Sequence, residues 1–373
     1  MAHYINWING MKLGKAHFLE LQSAVWHSLS QCRSLGLSNY AYGIIKDAEI
    51  DSFNIDVHVQ QPNIIEIEIK SLLGVTSNGN LISIENSDQL KNVFQLDQLE
   101  LKDDNAKYYA IITSDLTNPQ PYGTPDNDEI PVRLPYLKPR YSIDLISENQ
   151  LANASKPSHV FPLAAFLIQR GRIKRIDEFI PPNVRLSDSD DTSSFTDSYV
   201  DFLFKLEECC VETIAKARNK ERVTNLYKNA VYICERLLPQ IESTLLHIKL
   251  NKDSLQLISL LESSNTLSRN IHNSLQIIDP KEREEFIQYI AEQTSLSPGE
   301  YLQVLNRIFQ AQYDHWNMSD TLTLLSGFCK INLQLFTKIK ESEYVGKKKD
   351  AGIIIDERVS RDEEPVKKKG WQF

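Results

Sequence analysis

Proline divides this chain more sharply than any other residue. Eleven of the 15 prolines lie between Pro62 and Pro182, and four follow. Proline lacks a backbone N–H and its ring clashes with the preceding helical turn. The first half is therefore expected to be strands and turns, while the second is free to be helical. At 373 residues and 41% hydrophobic content, the chain is long enough for two or three ordinary cores.

Strand patterns agree with that division. Residues 55–59 (I-D-V-H-V) and 65–69 (I-E-I-E-I) alternate apolar and polar side chains, as a sheet with one wet face requires. Gln60-Gln61-Pro62-Asn63 between them reads as a hairpin turn. Ser77-Asn78-Gly79-Asn80 is a second turn, setting residues 74–76 against 81–84. Further strands are expected at 108–113, 133–134, 143–146 and 164–169, with the proline-rich stretch 118–139 as a long loop. One helix is expected in this half, over residues 17–35. Its stripe of Phe18, Leu21, Val25, Leu29 and Cys32 should pack on a sheet.

The acidic, hydroxyl-rich stretch 187–198 reads as a linker. After it the period changes. Tyr199, Leu203, Leu206, Cys210, Ile214 and Ala217 form a stripe, continued by Val223, Tyr227, Ala230, Cys234 and Leu237 up to Pro239. About 40 residues of helical pattern exceed an ordinary globular helix and imply a coiled-coil or bundle arm. Later helices are expected from Ile241, Leu255, Asp279, Ser297 and Asn317, two of them announced by Asp279-Pro280 and by the capping box Ser297-Pro298-Gly299-Glu300. The fold class is thus an N-terminal β-sandwich-like domain with one helix (1–186), a linker (187–198) and an all-α, up-and-down helical bundle (199–340). Residues 341–373 form a charged tail. Two readings stand for it: a solvated segment, or a docking peptide. In the second, Ile353, Ile354 and Ile355 add an edge strand, or Trp371 and Phe373 anchor in a partner.

Fifty acidic against 41 basic residues give a net charge of −9, which argues against nucleic acid as the main partner. The basic cluster Arg170, Arg172, Lys174 and Arg175 lacks interleaved aromatics and reads as a protein interface or a solvated hairpin. None of the five cysteines forms a C-x-x-C pair, so buried thiols in a reducing compartment are expected rather than a disulfide or metal site. H-E-x-x-H, G-x-G-x-x-G, the phosphate-binding G-x-x-x-x-G-K-S/T and G-x-S-x-G do not occur, and the eight histidines are dispersed. The expectation is a chain without catalysis, cofactor or metal. With no signal peptide and no apolar run of bilayer length, a soluble cytoplasmic protein is expected.

Two stretches carry more than generic patterning. The first is Trp7-Ile8-Asn9-Gly10-Met11-Lys12-Leu13 followed by His17-Phe18. The second is Phe161-Pro162-Leu163-Ala164 followed by Asp177-Glu178-Phe179-Ile180-Pro181-Pro182. With Tyr42-Gly43 after the first helix, their order and spacing resemble the TssK family of type VI secretion baseplate proteins. In physical terms Trp7 would fix the N-terminal arm against a sheet, and Gly10 would allow a tight bend beside it. Pro181-Pro182 would end the sheet domain in a stiff extended segment.

That resemblance implies a homotrimer acting as a structural adaptor. Its β-rich domain, similar to the shoulder of siphophage receptor-binding proteins, would contact the TssF and TssG wedge proteins. Its helical domain would hold the trimer together, leaving the 199–237 stripe exposed in a single chain, whereas a lone bundle would bury it. A C-terminal head would contact TssL and TssM at the cytoplasmic face of the inner membrane. The sequence departs from the family at Gly14-Lys15-Ala16, where a proline often precedes the histidine. It departs again at its end, where either the helices from Asp279 form a reduced head or the head is missing. The second reading of the whole is a phage-tail-like baseplate or receptor-binding protein of a different contractile machine.

Overall fold

A computed structural model of the chain describes residues 4–49, 51–60, 63–85, 88–95, 106–125, 128, 130–152, 156–170, 172–219, 223–294 and 296–341. The chain divides into two compact units, which are described separately. The β unit comprises Met1–Ser189 together with Asp314–Ser319, and the helical unit comprises Asp190–Tyr313 with the residues from Asp320 onward.

The β unit opens with α1 (Lys15–Ser34). It continues through β1 (Gly43–Ile44), β2 (Phe53–Gln60), β3 (Ile64–Val75), β4 (Leu81–Ile84), β5 (Leu90–Gln95), β6 (Lys107–Tyr122) and β7 (Tyr136–Ser147). A short α2 (Glu148–Ala152), β8 (Val160–Gln169) and β9 (Arg172–Arg175) complete it. The single helix expected in this half is therefore joined by a second, one turn long. Alternation makes β3 the hub of the first sheet: Ile65, Ile67 and Ile69 are buried while Glu66 and Glu68 alternate with them. Strands β1, β2, β4 and β5 all pair antiparallel with β3. On the wet face Glu66 pairs with Lys91, and Lys70 meets Asp56 at 2.6 Å. The second sheet runs β7-β6-β8-β9. Both sheets feed one core, with Ile67 and Ile82 from the first and Ile112, Phe161 and Phe166 from the second.

Proline is a weaker barrier to strands here than its chemistry alone implies. The stretch 118–139 is strand at both ends: β6 runs through Pro119 and Pro121, and β7 includes Pro139. Pro119 falls where the β6–β7 ladder breaks between Asp115 and Gln120. In that break the Asp115 carboxylate accepts the N–H groups of Thr117 and Asn118. Pro162 likewise sits at a register shift between β6 and β8, where a missing donor costs little. Residues 133–134 form no strand; β7 begins three residues later, at Tyr136.

Helix α1 forms where expected but is turned the other way. Its stripe faces outward: Phe18, Leu21, Val25 and Leu29 are 55%, 38%, 49% and 46% exposed, and Cys32 is exposed too. The side resting on the sheet domain includes the half-buried Trp26, which lines cavities with residues of β4, β6 and β7. Ala24 and Ser30 are buried, and the Ser30 hydroxyl bonds Asn80 at 2.9 Å. Gly79, at φ +84° in the β3–β4 turn, lets the helix backbone come so near that a Cβ there would lie 2.0 Å from the Ser30 carbonyl oxygen. This close approach holds the Ser30–Ser34 turn of α1 against the β3–β4 turn.

The helical unit contains α3 (Asp190–Arg218), α4 (Asn225–Leu250), α5 (Leu257–Ile277), α6 (Pro280–Thr294), α7 (Pro298–Gln310) and α8 (Met318–Glu341). The supposed linker 187–198 is instead a 3-10 turn (Leu186–Asp188) running into α3. Its acids have structural places. The buried Asp188 carboxylate accepts Arg185 at 2.8 Å and the Lys46 N–H at 3.0 Å. Asp190 and Asp191 lie in the first turn of α3, where negative charge complements the helix dipole. The 40-residue helical pattern is two helices, broken after Arg218 and restarted by Thr224, whose hydroxyl accepts the Tyr227 N–H. Conversely no break occurs at Pro239. This proline lies on the exposed side of α4, so the Glu235 carbonyl that loses its donor is on the wet side of the helix.

The stripe predicted to be exposed in a single chain is interior. Tyr199, Leu203, Leu206, Cys210, Cys234 and Leu237 are all at most 1% exposed. Tyr199 donates or accepts a 2.8 Å hydrogen bond with Ser264 of α5, and Phe202 meets Phe328 of α8 edge-on. Helices α4, α5 and α8 pack beside α3 and cover that stripe within one chain. The expected capping box at Ser297–Glu300 is present, and a buried Tyr301–Asn332 hydrogen bond of 2.9 Å ties α7 to α8.

The Gly79 contact yields a test. Gly79→Ala is expected to cost about 2 kcal/mol or more from the left-handed backbone and the clash together. Hydrogen exchange across α1 should rise while β2 and β3 keep their protection; unchanged exchange in α1 would contradict the docking described.

Candidate interaction surfaces

Three short segments far apart in sequence meet in the β unit. Gly43 has φ +114°, and a Cβ there would lie 2.1 Å from the Pro182 carbonyl oxygen. With no side chain in the way, Ile44 N–H bonds Pro182 C=O at 2.8 Å and Val184 N–H bonds Ile44 C=O at 3.0 Å. The third segment is Asp314–Ser319, which belongs to this unit although helices flank it in sequence. Trp316 is 1% exposed within the sheet core, and its indole N–H donates to the Tyr42 hydroxyl at 2.8 Å. The Tyr109 ring meets the Trp316 ring edge-on at 5.5 Å, and the Tyr109 hydroxyl donates to Asn317 at 2.8 Å. Lys156 lies 5.3 Å over the indole and pairs with Asp314, which also accepts the Trp316 N–H at 2.9 Å.

His315 completes this clasp. Its Nε2–H donates to the Tyr42 carbonyl at 2.8 Å, and the two rings meet edge-on at 4.6 Å. Burial pushes its pKa from 6.5 down to about 4, outweighing the raising effect of that carbonyl. Burial also pushes the Tyr42 phenol up. The motif residues Tyr42, Gly43, Pro181 and Pro182 are therefore brought to one place by packing. Sequence reasoning missed the third member. It read Asn317 only as a helix cap and passed over His315-Trp316, a tryptophan set among polar residues between two helical stripes.

The other motif residues divide into core and surface. Pro162 and Ile180 are buried; Asp177 and Glu178 are exposed, with Asp177 3.9 Å from Arg175. Trp7 does not anchor on a sheet. It remains 48% exposed, its ring tilted 6.4 Å from that of His17 at the start of α1. Gly10, at φ +81°, bends the arm as expected, with Met11 N–H bonding Ile8 C=O. Met11 is half-buried and Leu13 57% exposed, and His17 Nδ1 accepts the Gly14 N–H at 3.1 Å. The tail residues Ile353, Ile354, Ile355, Trp371 and Phe373 lie outside the described residues.

Each unit thus presents an apolar surface. In the β unit it is the outward stripe of α1 with Trp7 and Leu13. In the helical unit Phe204, Val211, Leu246 and Leu250 are 54%, 50%, 56% and 72% exposed. Beside Val211 a shallow groove of about 560 Å³ is lined by Ile214, Leu238 and Pro239. Among the described residues no three histidine, cysteine or acidic side chains come together as metal ligands, and no helix is long and apolar enough to cross a membrane. The thiols of Cys209, Cys210, Cys234 and Cys329 are buried, whereas Cys32 is not.

No protein-family profile matches the chain, and no curated protein sequence matches it significantly. Its fold is shared with a solved protein. A crystal structure of TssK superposes with a TM-score of 0.51 over 93% of this chain and 71% of that one, at 11% identity. The chain has the TssK fold. A chain of the TssK–TssF–TssG baseplate subcomplex of the type VI secretion system aligns at TM-score 0.49 and 14% identity, covering 92% of this chain and 100% of that one. TssK from the EAEC system, solved with a nanobody, aligns at 0.46 and 15% identity, covering 86% and 99%.

Two outcomes follow from the clasp. Trp316→Ala removes a fully enclosed indole and is expected to destabilise the β unit by about 3–5 kcal/mol in denaturant unfolding; a change below about 1 kcal/mol would contradict its place in the core. His315 has a folded pKa below its unfolded one, so the unfolded chain binds more protons between these values and stability rises with pH. Its contribution should be complete above pH 6.5 and fall by about 3 kcal/mol as pH drops toward 4. His315→Gln should flatten that part of the stability–pH curve.

Proposed function

We propose that this chain is a non-enzymatic structural subunit of a type VI secretion-like baseplate. It works as a homotrimer whose β unit binds wedge proteins of the TssF and TssG kind, on the cytoplasmic face of the inner membrane. The observation that carries this reading is the TssK fold running across both units, over 93% of the chain. The surfaces support it independently. Both units leave large apolar side chains exposed, as surfaces that meet partners do. The buried polar groups support it as well: His315, Tyr42, Tyr199 and Tyr301 are engaged in holding elements together.

In this reading the β unit is the rigid shoulder and the helical bundle contributes its outer α3–α4 face, Phe204 and Val211 with Leu246 and Leu250, to contact between copies. The 199–237 stripe has no part in that contact, because it is already covered within one chain.

Light scattering on the full chain tests the reading. A mass near three times 42.8 kDa, shifting upward when a purified TssF–TssG wedge is added, is the expected result. A single-chain mass that is indifferent to the wedge would overturn it.

A further inference from the structure

Helix α1 and the sheet behind it do not close completely on one another. Gly79 pins the Ser30–Ser34 turn of the helix to the β3–β4 turn. Opposite, the β6–β7 ladder breaks between Asp115 and Gln120. Between helix and break lies a cavity of about 1,160 Å³, walled in part by Trp26, Asn80, Ser114, Leu116 and His159. A second cavity, of about 730 Å³, shares Trp26, Ser30, Leu116 and Leu137 with the first. The half-buried Trp26 therefore borders open space in both. Among the described residues its indole makes no ring contact and its N–H no hydrogen bond.

The larger cavity has a wall of one chemical kind. More than half of its lining residues carry a neutral hydroxyl or amide, and none is lysine or arginine. Asp115 is the one carboxylate in that lining. It is already engaged, accepting the N–H groups of Thr117 and Asn118 and the Thr117 hydroxyl at 2.6 Å. Ser114 is not engaged. It is 3% exposed, and its Oγ has no hydrogen-bond partner among the described residues.

We propose that this cavity binds a neutral oligosaccharide with one sugar ring stacked on Trp26. A sugar ring offers an apolar C–H face and a rim of hydroxyls. The indole supplies a flat apolar face with a donor at its edge, and serine, asparagine and glutamine side chains both donate and accept. An anionic ligand would be desolvated beside Asp115 with no permanent cation in the wall to pair with it. A wholly apolar ligand would strand the polar groups of the wall. Ligand sites run from about 300 to 1,000 Å³, so this one has room for more than one ring. The site goes beyond the baseplate reading and is independent of it, since one chain suffices to form it.

Maltotriose and chitotriose are the probes, with trigalacturonic acid as the charged control, each titrated into the full chain. Binding is read by saturation-transfer NMR and by tryptophan fluorescence. One or both neutral sugars should bind, and the charged trimer should bind about tenfold more weakly. Trp26 is one of four tryptophans, so Trp26→Phe assigns the signal. It should keep the parent's circular dichroism, lose the fluorescence response and weaken binding about tenfold. Ser114→Ala distinguishes a site from mere packing. Removing an unpartnered buried hydroxyl leaves stability equal or raised, whereas binding should weaken several-fold. No binding of either neutral sugar, binding unchanged in both variants, or tighter binding of the charged trimer would overturn the site. If the TssF–TssG wedge shields Trp26 from a quencher and neither sugar does, the cavity is a protein-docking groove and the inference fails.

Discussion

The close approach of Gly43 to Pro182 is the constraint on which the β unit is organised. Two backbones come together at a distance that no side chain at position 43 would permit, and the chain entering the sheets is thereby bonded to the chain leaving them. Trp316 then closes this junction from a third part of the sequence, filling the core while its N–H and the neighbouring His315 satisfy the hydroxyl and carbonyl of Tyr42. Each polar group buried there has a partner, so the junction gains apolar burial without leaving unmet hydrogen bonds. The segment that seals the sheet unit lies between α7 and α8, so stable closure of the sheets requires a stretch made much later in the chain.

A second constraint acts at α1. Gly79 draws that helix in by its backbone at Ser30 and Ser34, while Phe18, Leu21, Val25 and Leu29 remain at least 38% exposed. The same logic runs the other way in the bundle, where neighbouring helices bury Tyr199, Leu203 and Leu206. Whether an apolar stripe becomes core or contact surface is thus decided by what packs beside it. The stripe itself carries no such information.

That explains what could be read from the residues and what could not. The proline partition, the alternation in β2 and β3, the Gly79 turn and the capping box of α7 were all legible, because each depends on neighbours within a few positions. The motif pieces Tyr42-Gly43 and Pro181-Pro182 were visible as unusual, yet their contact was not, since nothing local encodes a meeting between Gly43 and Pro182 across 138 intervening positions. The linker was misread because acids and hydroxyls suit a helix N-terminus as well as a loop. Trp316 and the direction of α1 escaped for one reason: both are settled by partners distant in sequence.

Hydrogen exchange of the full chain, with and without a purified TssF–TssG wedge, tests the account most directly, because it reports both whether the wedge binds and where. The account predicts new protection in the strands and loops of the β unit, with α5–α7 unchanged. Protection confined to the helical unit, or no change anywhere, would contradict the reading of this chain as a baseplate subunit that meets its wedge through the sheets.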